Sequence, residues 1–120
     1  MKINEVALMF DMTQDTLRYY EKIGLLDPIL KDKSGNRDYQ SQDIKRLEFI
    51  RCMRDAGLSI QVLQKYIDLY NQGDETIEER KNLLVMQKNQ LMEKQERIQI
   101  SIHKLNHKIE HYKKLLNKKI

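Results

Sequence analysis

The side chains best suited to chemistry in this 120-residue chain lie in two clusters near the N-terminus. Thr13 and Thr16 precede the run Arg18-Tyr19-Tyr20, and about twenty residues later Lys31, Lys33 and Arg37 lead into Tyr39. Arginine can pair in bidentate fashion with a guanine edge or a phosphate. Tyrosine hydroxyls donate to phosphates while their rings pack on sugars. Lysines in the second cluster would add attraction that is independent of base sequence and sensitive to salt. On helical spacing Leu17 and Tyr20 share a side, so Tyr20 divides between a contact and a core role. Asp32 and Asp38 alternate with the cations, which on an extended segment sends acids and bases to opposite faces. The chemistry offered is recognition of a polyanion rather than catalysis. No glycine loop able to cradle a phosphate, no nucleophile with a base and no paired carboxylates can be named, so an enzyme is not expected.

Two further groups need weighing. Cys52 is the one cysteine, so no internal disulfide or cysteine-rich metal site can form. It is either a chemical sensor or a small buried hydrophobe. Glu48 and Asp55 lie within a helical turn of it, and nearby negative charge disfavours the reactive thiolate. His103, His107 and His111 form an i, i+4, i+8 stripe. Projected at about 100° per residue, they sit opposite the apolar seam described below, which makes them a solvated stripe; neither a metal nor a cofactor is expected.

The elements that must hold these residues are legible from their start and stop signals. Asn4 is expected to cap a helix over residues 5–10, with Ile3 and Leu8 as a hydrophobic staple. Thr13 caps the next, with Met12 and Leu17 placed likewise, and only Asp11-Met12 separates the two, the spacing of a helix-turn-helix. Gly24 ends the second helix, Pro28 follows in an extended segment, and Ser34-Gly35-Asn36 turns a small hairpin, or wing. Ser41 is expected to cap a third helix reaching about Ala56, and Ser59 a fourth after the break at Gly57. Residues 1–72 thus form a head. Thr76 with Glu79 suggests a capping box for one last helix over 76–118. In it Ile77, Leu84, Leu91, Ile98, Leu105 and Tyr112 recur every seven residues, and Ile102, Ile109 and Leu116 add the companion row of a coiled coil. The dimerisation seam is assigned to Leu91, Ile98, Ile102, Leu105, Ile109, Tyr112 and Leu116. At ~1.5 Å per residue the helix would be roughly 60 Å long. The expected fold is mainly α: a winged helix-turn-helix head followed by a long dimerisation helix.

Bulk charge is a weak guide. The net +4 divides into 11 Lys and Arg against 11 Asp and Glu in residues 1–72, and 11 against 7 in residues 73–120. Affinity for a polyanion must therefore come from where the head sets its cations. Lacking a long apolar run or a leader pattern, the chain is expected to be cytoplasmic and without membrane contact.

Three stretches are similar to the MerR family of bacterial transcriptional regulators: residues 16–26 (TLRYYEKIGLL), residues 35–39 (GNRDY) and residues 50–59 (IRCMRDAGLS). Asp11 stands where that family usually has Gly, and Asn36 where it usually has Tyr. The resemblance implies a homodimer joined by antiparallel helices, bound to a palindrome in an over-long promoter spacer. Distortion of the spacer there lets RNA polymerase engage both promoter elements. Cys52 resembles in position the lone cysteine of the thiol-dependent, aldehyde- or electrophile-responsive branch. Thr13, Thr16, Arg18, Tyr19, Tyr20, Lys33, Arg37 and Tyr39 are the expected contacts to double-stranded DNA. The competing expectation is a coiled-coil adaptor whose head binds protein.

Overall fold

The computed structural model describes residues 1–118. Five α-helices follow in order: α1 (Ile3–Phe10), α2 (Gln14–Lys22), α3 (Ser41–Asp55), α4 (Ile60–Asn71) and α5 (Ile77–Lys118), with a single 3-10 turn at Asp74–Thr76 before the last. Among the described residues there are no strands, only isolated antiparallel bridges between Lys31 and Arg37 and between Lys2 and Asp38. The wing is thus a minimal hairpin. The chain divides into two compact units, the first ending at Leu83 and the second starting at Leu84.

In the first unit, α1 packs on α2 and α3, and α3 on α4. Val6, Leu17, Leu25, Leu26, Leu47, Ile50, Leu58, Leu63 and Ile67 are buried in one core. Each such side chain removed from water contributes about 1.5–3 kcal/mol. Several termini follow directly from local sequence. Thr13 and Ser59 accept the N–H groups of Thr16 and Val62, and the residue before each cap packs into or against the core, as does the residue four beyond it. At the end of α2, the N–H groups of Leu25 and Gly24 donate to the carbonyls of Tyr20 and Glu21. Leu58 and Gly57 repeat the pattern on Met53 and Arg54. Both are Schellman motifs, in which the glycine supplies a left-handed residue. Asp11 turns the chain between α1 and α2 with φ 51° and ψ 47°, a left-handed conformation that aspartate tolerates better than most residues.

Three expected starts are corrected. Helix α1 begins at Ile3 with Lys2, not Asn4, as its cap residue, because Lys2 is held extended against Asp38. Leu8 is 84% exposed, so no staple with Ile3 forms there. Ser41 is the first residue of α3 rather than its cap; the Asp43 carboxylate reaches back to the Gln40 N–H at 2.8 Å. Thr76 does not make a capping box. It is buried, its hydroxyl is directed at the carbonyls of Leu69 and Gly73, and it accepts from Arg80 Nε at 3.1 Å.

The second unit consists of the remainder of α5. Its row of Leu91, Ile98, Ile102, Leu105, Ile109, Tyr112 and Leu116 is exposed, and no residue of α5 is buried. A helix of this length gains little from propensity alone and needs its apolar face covered.

Gly24 has φ 83° and nothing within 4 Å of the place a Cβ would occupy, so only backbone conformation opposes a side chain there. Gly24→Ala is expected to lower unfolding stability by about 1 kcal/mol. Urea denaturation at fixed protein concentration should show this as a lower midpoint with an unchanged slope.

Candidate nucleic-acid interface

Helix α2 is anchored by burying Leu17 and Tyr20, and this sends Arg18 and Tyr19 outward. Arg18 is 45% and Tyr19 50% exposed. Thr13 and Thr16 sit together at the start of the helix, their hydroxyls 2.8 Å apart. The Arg18 guanidinium lies along the helix surface, donating to Asp15 Oδ1 and to Gln14 Oε1, both at 3.1 Å. An exposed pair of this kind contributes little to stability and gives way readily to a stronger anion.

The adjoining wing is organised by an acid that sequence spacing had set aside. Asp32 Oδ1 accepts the N–H groups of Ser34 at 2.9 Å and Asn36 at 3.0 Å, shaping the turn that leaves Lys33 exposed. The Asp32 backbone N–H meets the Asn36 carbonyl at 2.8 Å, and the Asp38 N–H meets the Leu30 carbonyl at 2.7 Å. On its other edge the hairpin receives the N-terminus. The Met1 ammonium donates to Asp38 Oδ1 at 3.0 Å and to the Tyr39 carbonyl at 2.8 Å, while the Tyr39 N–H donates to the Met1 carbonyl at 2.7 Å. That ammonium holds the Asp38 carboxyl below its ordinary value. The folded-state pKa is depressed, so the contribution of this pairing is present above the ordinary carboxylate value and is lost as pH falls through the lowered one.

Glu21 ties wing and helix together. One carboxylate oxygen accepts Arg37 Nε at 2.7 Å and the other accepts the Ile29 N–H at 3.3 Å. Reading the sequence missed this residue. An acid and an arginine sixteen positions apart share no periodicity, and the pairing exists only once the hairpin folds back on α2. Arg37, expected as a free wing cation, is instead engaged and partly shielded, with its Nη groups outside that bond.

Two expected contacts are corrected by burial. Tyr20 is 7% and Tyr39 2% exposed, and both belong to the core, so neither ring face is available to a ligand. The Tyr39 hydroxyl has no hydrogen-bond partner among the described residues, and burial raises its pKa. Cys52 is exposed on α3, not packed as a small hydrophobe. Beside it Arg51 Nε lies 3.4 Å from Asp55 Oδ2. Among the described residues, no three His, Cys, Asp or Glu side chains are grouped to hold a metal ion, and no helix is long and apolar enough to cross a membrane.

Residues 1–69 match the profile of the MerR HTH family regulatory proteins, and residues 44–111 that of the MerR DNA-binding region. The chain belongs to the MerR family. Over 93 residues it is 50% identical to the HTH-type transcriptional regulator AdhR of Bacillus subtilis, a match covering 78% of this chain and 66% of AdhR. This chain therefore spans just under two thirds of that relative's length. The solved structure of HiNmlR, a MerR family regulator lacking the sensor domain and bound to promoter DNA, superposes with a TM-score of 0.82 at 27% identity, covering 94% of this chain and 90% of that one. A MerR family transcriptional regulator from Bacillus thuringiensis superposes with a TM-score of 0.76 at 30% identity, covering 91% and 96%. The two isolated bridges and the Glu21 clasp of this MerR chain lie within the residues that the MerR HTH profile matches.

Replacing Glu21 by glutamine removes a negative charge from beside α2, which by simple electrostatics should raise affinity for a polyanion. If the clasp sets the wing, Glu21→Gln will instead weaken duplex binding by about fivefold or more, roughly 1 kcal/mol. A titration of labelled duplex at constant salt measures the sign.

Proposed function

We propose that this MerR protein is a dimeric, sequence-specific DNA-binding regulator of transcription. The observation that carries the reading is the exposure of Arg18 and Tyr19 on the second helix of a helix-turn-helix, with exposed Thr13 capping that helix beside half-buried Thr16 and Lys33 on a wing clasped to it through Glu21. Recognition helices of this kind enter the major groove, where arginine reads guanine edges and threonine reaches bases or phosphates. The wing adds backbone contacts. Arg37 contributes through the groups its Glu21 bond leaves over, and Tyr20 and Tyr39 act from the core by supporting their neighbours.

The exposed seam of α5 supports a homodimer. Leu91, Ile98, Ile102, Leu105, Ile109, Tyr112 and Leu116 would be covered by the same residues of a second copy. Two identical heads then require matching half-sites, hence a palindromic operator. By family, the dimer acts within an over-long promoter spacer and distorts it for RNA polymerase, with contacts on both half-sites offsetting the deformation cost. EcmrR, a solved neighbour of 27% identity and TM-score 0.50, is bound to DNA in EcmrR-RPo; the superposition covers 95% of this chain and 40% of that one.

Selection of bound sequences from a random duplex pool tests the reading: a palindrome should be enriched. On the selected site, Arg18→Ala should relax base preference at one position of each half-site, at about 1–3 kcal/mol. Lys33→Ala should weaken all sequences alike and reduce the salt slope. Uniform loss in both variants would contradict the division between reading and anchoring.

Cys52 is the proposed sensor. Its exposure on α3 supports access by an electrophile such as an aldehyde, whose carbon the thiolate attacks. Cys52→Ser should keep DNA affinity and lose electrophile-dependent transcription in vitro. A variant that still responds would remove the cysteine from the mechanism.

A further inference from the structure

Between the start of α1, the outer face of α2 and the hairpin lies an open concavity of about 350 Å³. Lys2, Asn4, Gln14, Arg18, Lys31 and Arg37 line it, and no acidic residue is among its lining. Two other hollows of this head set a cation against an acid, while a third, with Lys45 and Arg46, is lined by Phe49, Tyr66 and Tyr70. That beside α2 and α4 sets Lys65 against Asp68, and that above Ile44 sets Lys45 against Glu48. Unpaired cations gathered at one hollow repel one another and are relieved by an anion. Arg18 and Arg37 have carboxylate partners at Asp15 and Glu21, whereas Lys2 and Lys31 are in no ion pair among the described residues. The lysines bring ammonium donors and the asparagine and glutamine bring amide donors, which suits a ligand with acceptors only.

Lys2 is the residue that sequence reasoning passed over. Its backbone bridges to Asp38 and its N–H donates to Glu5 Oε1 at 3.2 Å. The residue before it is bonded to Asp38 and Tyr39. The base of this lysine is therefore fixed to the wing, and only its side chain must be ordered to meet a ligand. We propose that Lys2, with Lys31, seats one backbone phosphate of the duplex between recognition helix and wing, and so sets the head's register along the strand. The proposal rests on the DNA-binding reading above. Phosphate contacts of this kind position a protein without carrying sequence information.

The test uses the full chain carrying Lys2→Ala or Lys2→Arg, with Lys31→Ala as a second probe, each checked for helix content by circular dichroism. Affinity for the selected operator and for a random duplex is measured across a salt series. Lys2→Ala should weaken both duplexes by a similar factor and lower the salt slope by about 0.9 per head, hence roughly two units for a dimer, and Lys2→Arg should restore it. In ethylation interference, one backbone position per half-site should stop interfering. An unchanged slope and interference pattern in Lys2→Ala and Lys31→Ala, with wild type still binding, would overturn the phosphate seat alone. So would tight binding of inorganic phosphate lost in Lys2→Ala while the duplex interference pattern is unaltered, since that marks a free-anion site. A wild-type protein that binds no duplex would overturn the regulator reading and this proposal together.

Discussion

The head depends on the two-sided bond made by Glu21. A hairpin held by isolated bridges is marginal in water, and its tip could take many angles relative to α2. One carboxylate on α2 accepts from Arg37 on one arm of the hairpin and from the Ile29 backbone before the other. Charge-assisted bonds of this type are short and directional, and here both oxygens are used. Because the group is only partly exposed, solvent screens it less than a surface pair. A side chain on the face of α2 that turns toward the wing thus sets the geometry of the face that turns away.

The same economy recurs with five other acids of the head. Glu5 accepts the Lys2 N–H, Asp15 pairs with Arg18, Asp32 closes the hairpin turn, Asp38 binds the terminal ammonium, and Asp43 accepts the Gln40 N–H. Residues 1–72 carry 11 acids and 11 Lys and Arg, so they have no net charge to offer a polyanion. Those five carboxylates are engaged by nearby donors, whereas Lys2, Lys31 and Lys33 are exposed and in no ion pair among the described residues. Local field, not total charge, governs attraction at distances inside the screening length.

Helix α5 stands under a different constraint. Its outward row of leucine, isoleucine and tyrosine is too regular to be incidental and too exposed to be stable by itself. The head is closed by its own core, whereas the apolar row of the second unit is exposed. The proposed second copy would cover that row, since a seam of like residues is self-complementary.

How much of this was readable depended on the range of each interaction. Thr13, Ser59, Gly24 and Gly57 act on backbone groups within five residues, so their roles follow from the order of residues alone, as does the seven-residue row of α5. The family motif residues 16–26 were equally local. Asn4, Ser41 and Thr76 carried valid cap signals that lost to longer-range demands: Lys2 was drawn out against Asp38, Asp43 reached back to Gln40, and Thr76 turned to Leu69. Whether Tyr39 faced solvent or core, whether Cys52 was covered, and which side chain Glu21 would meet were decided by how hairpin, N-terminus and helices closed on one another. By itself, the sequence determined the elements, their stops and the set of available cations. Tertiary structure alone decided which faces those elements show, because a face is chosen by what packs behind it.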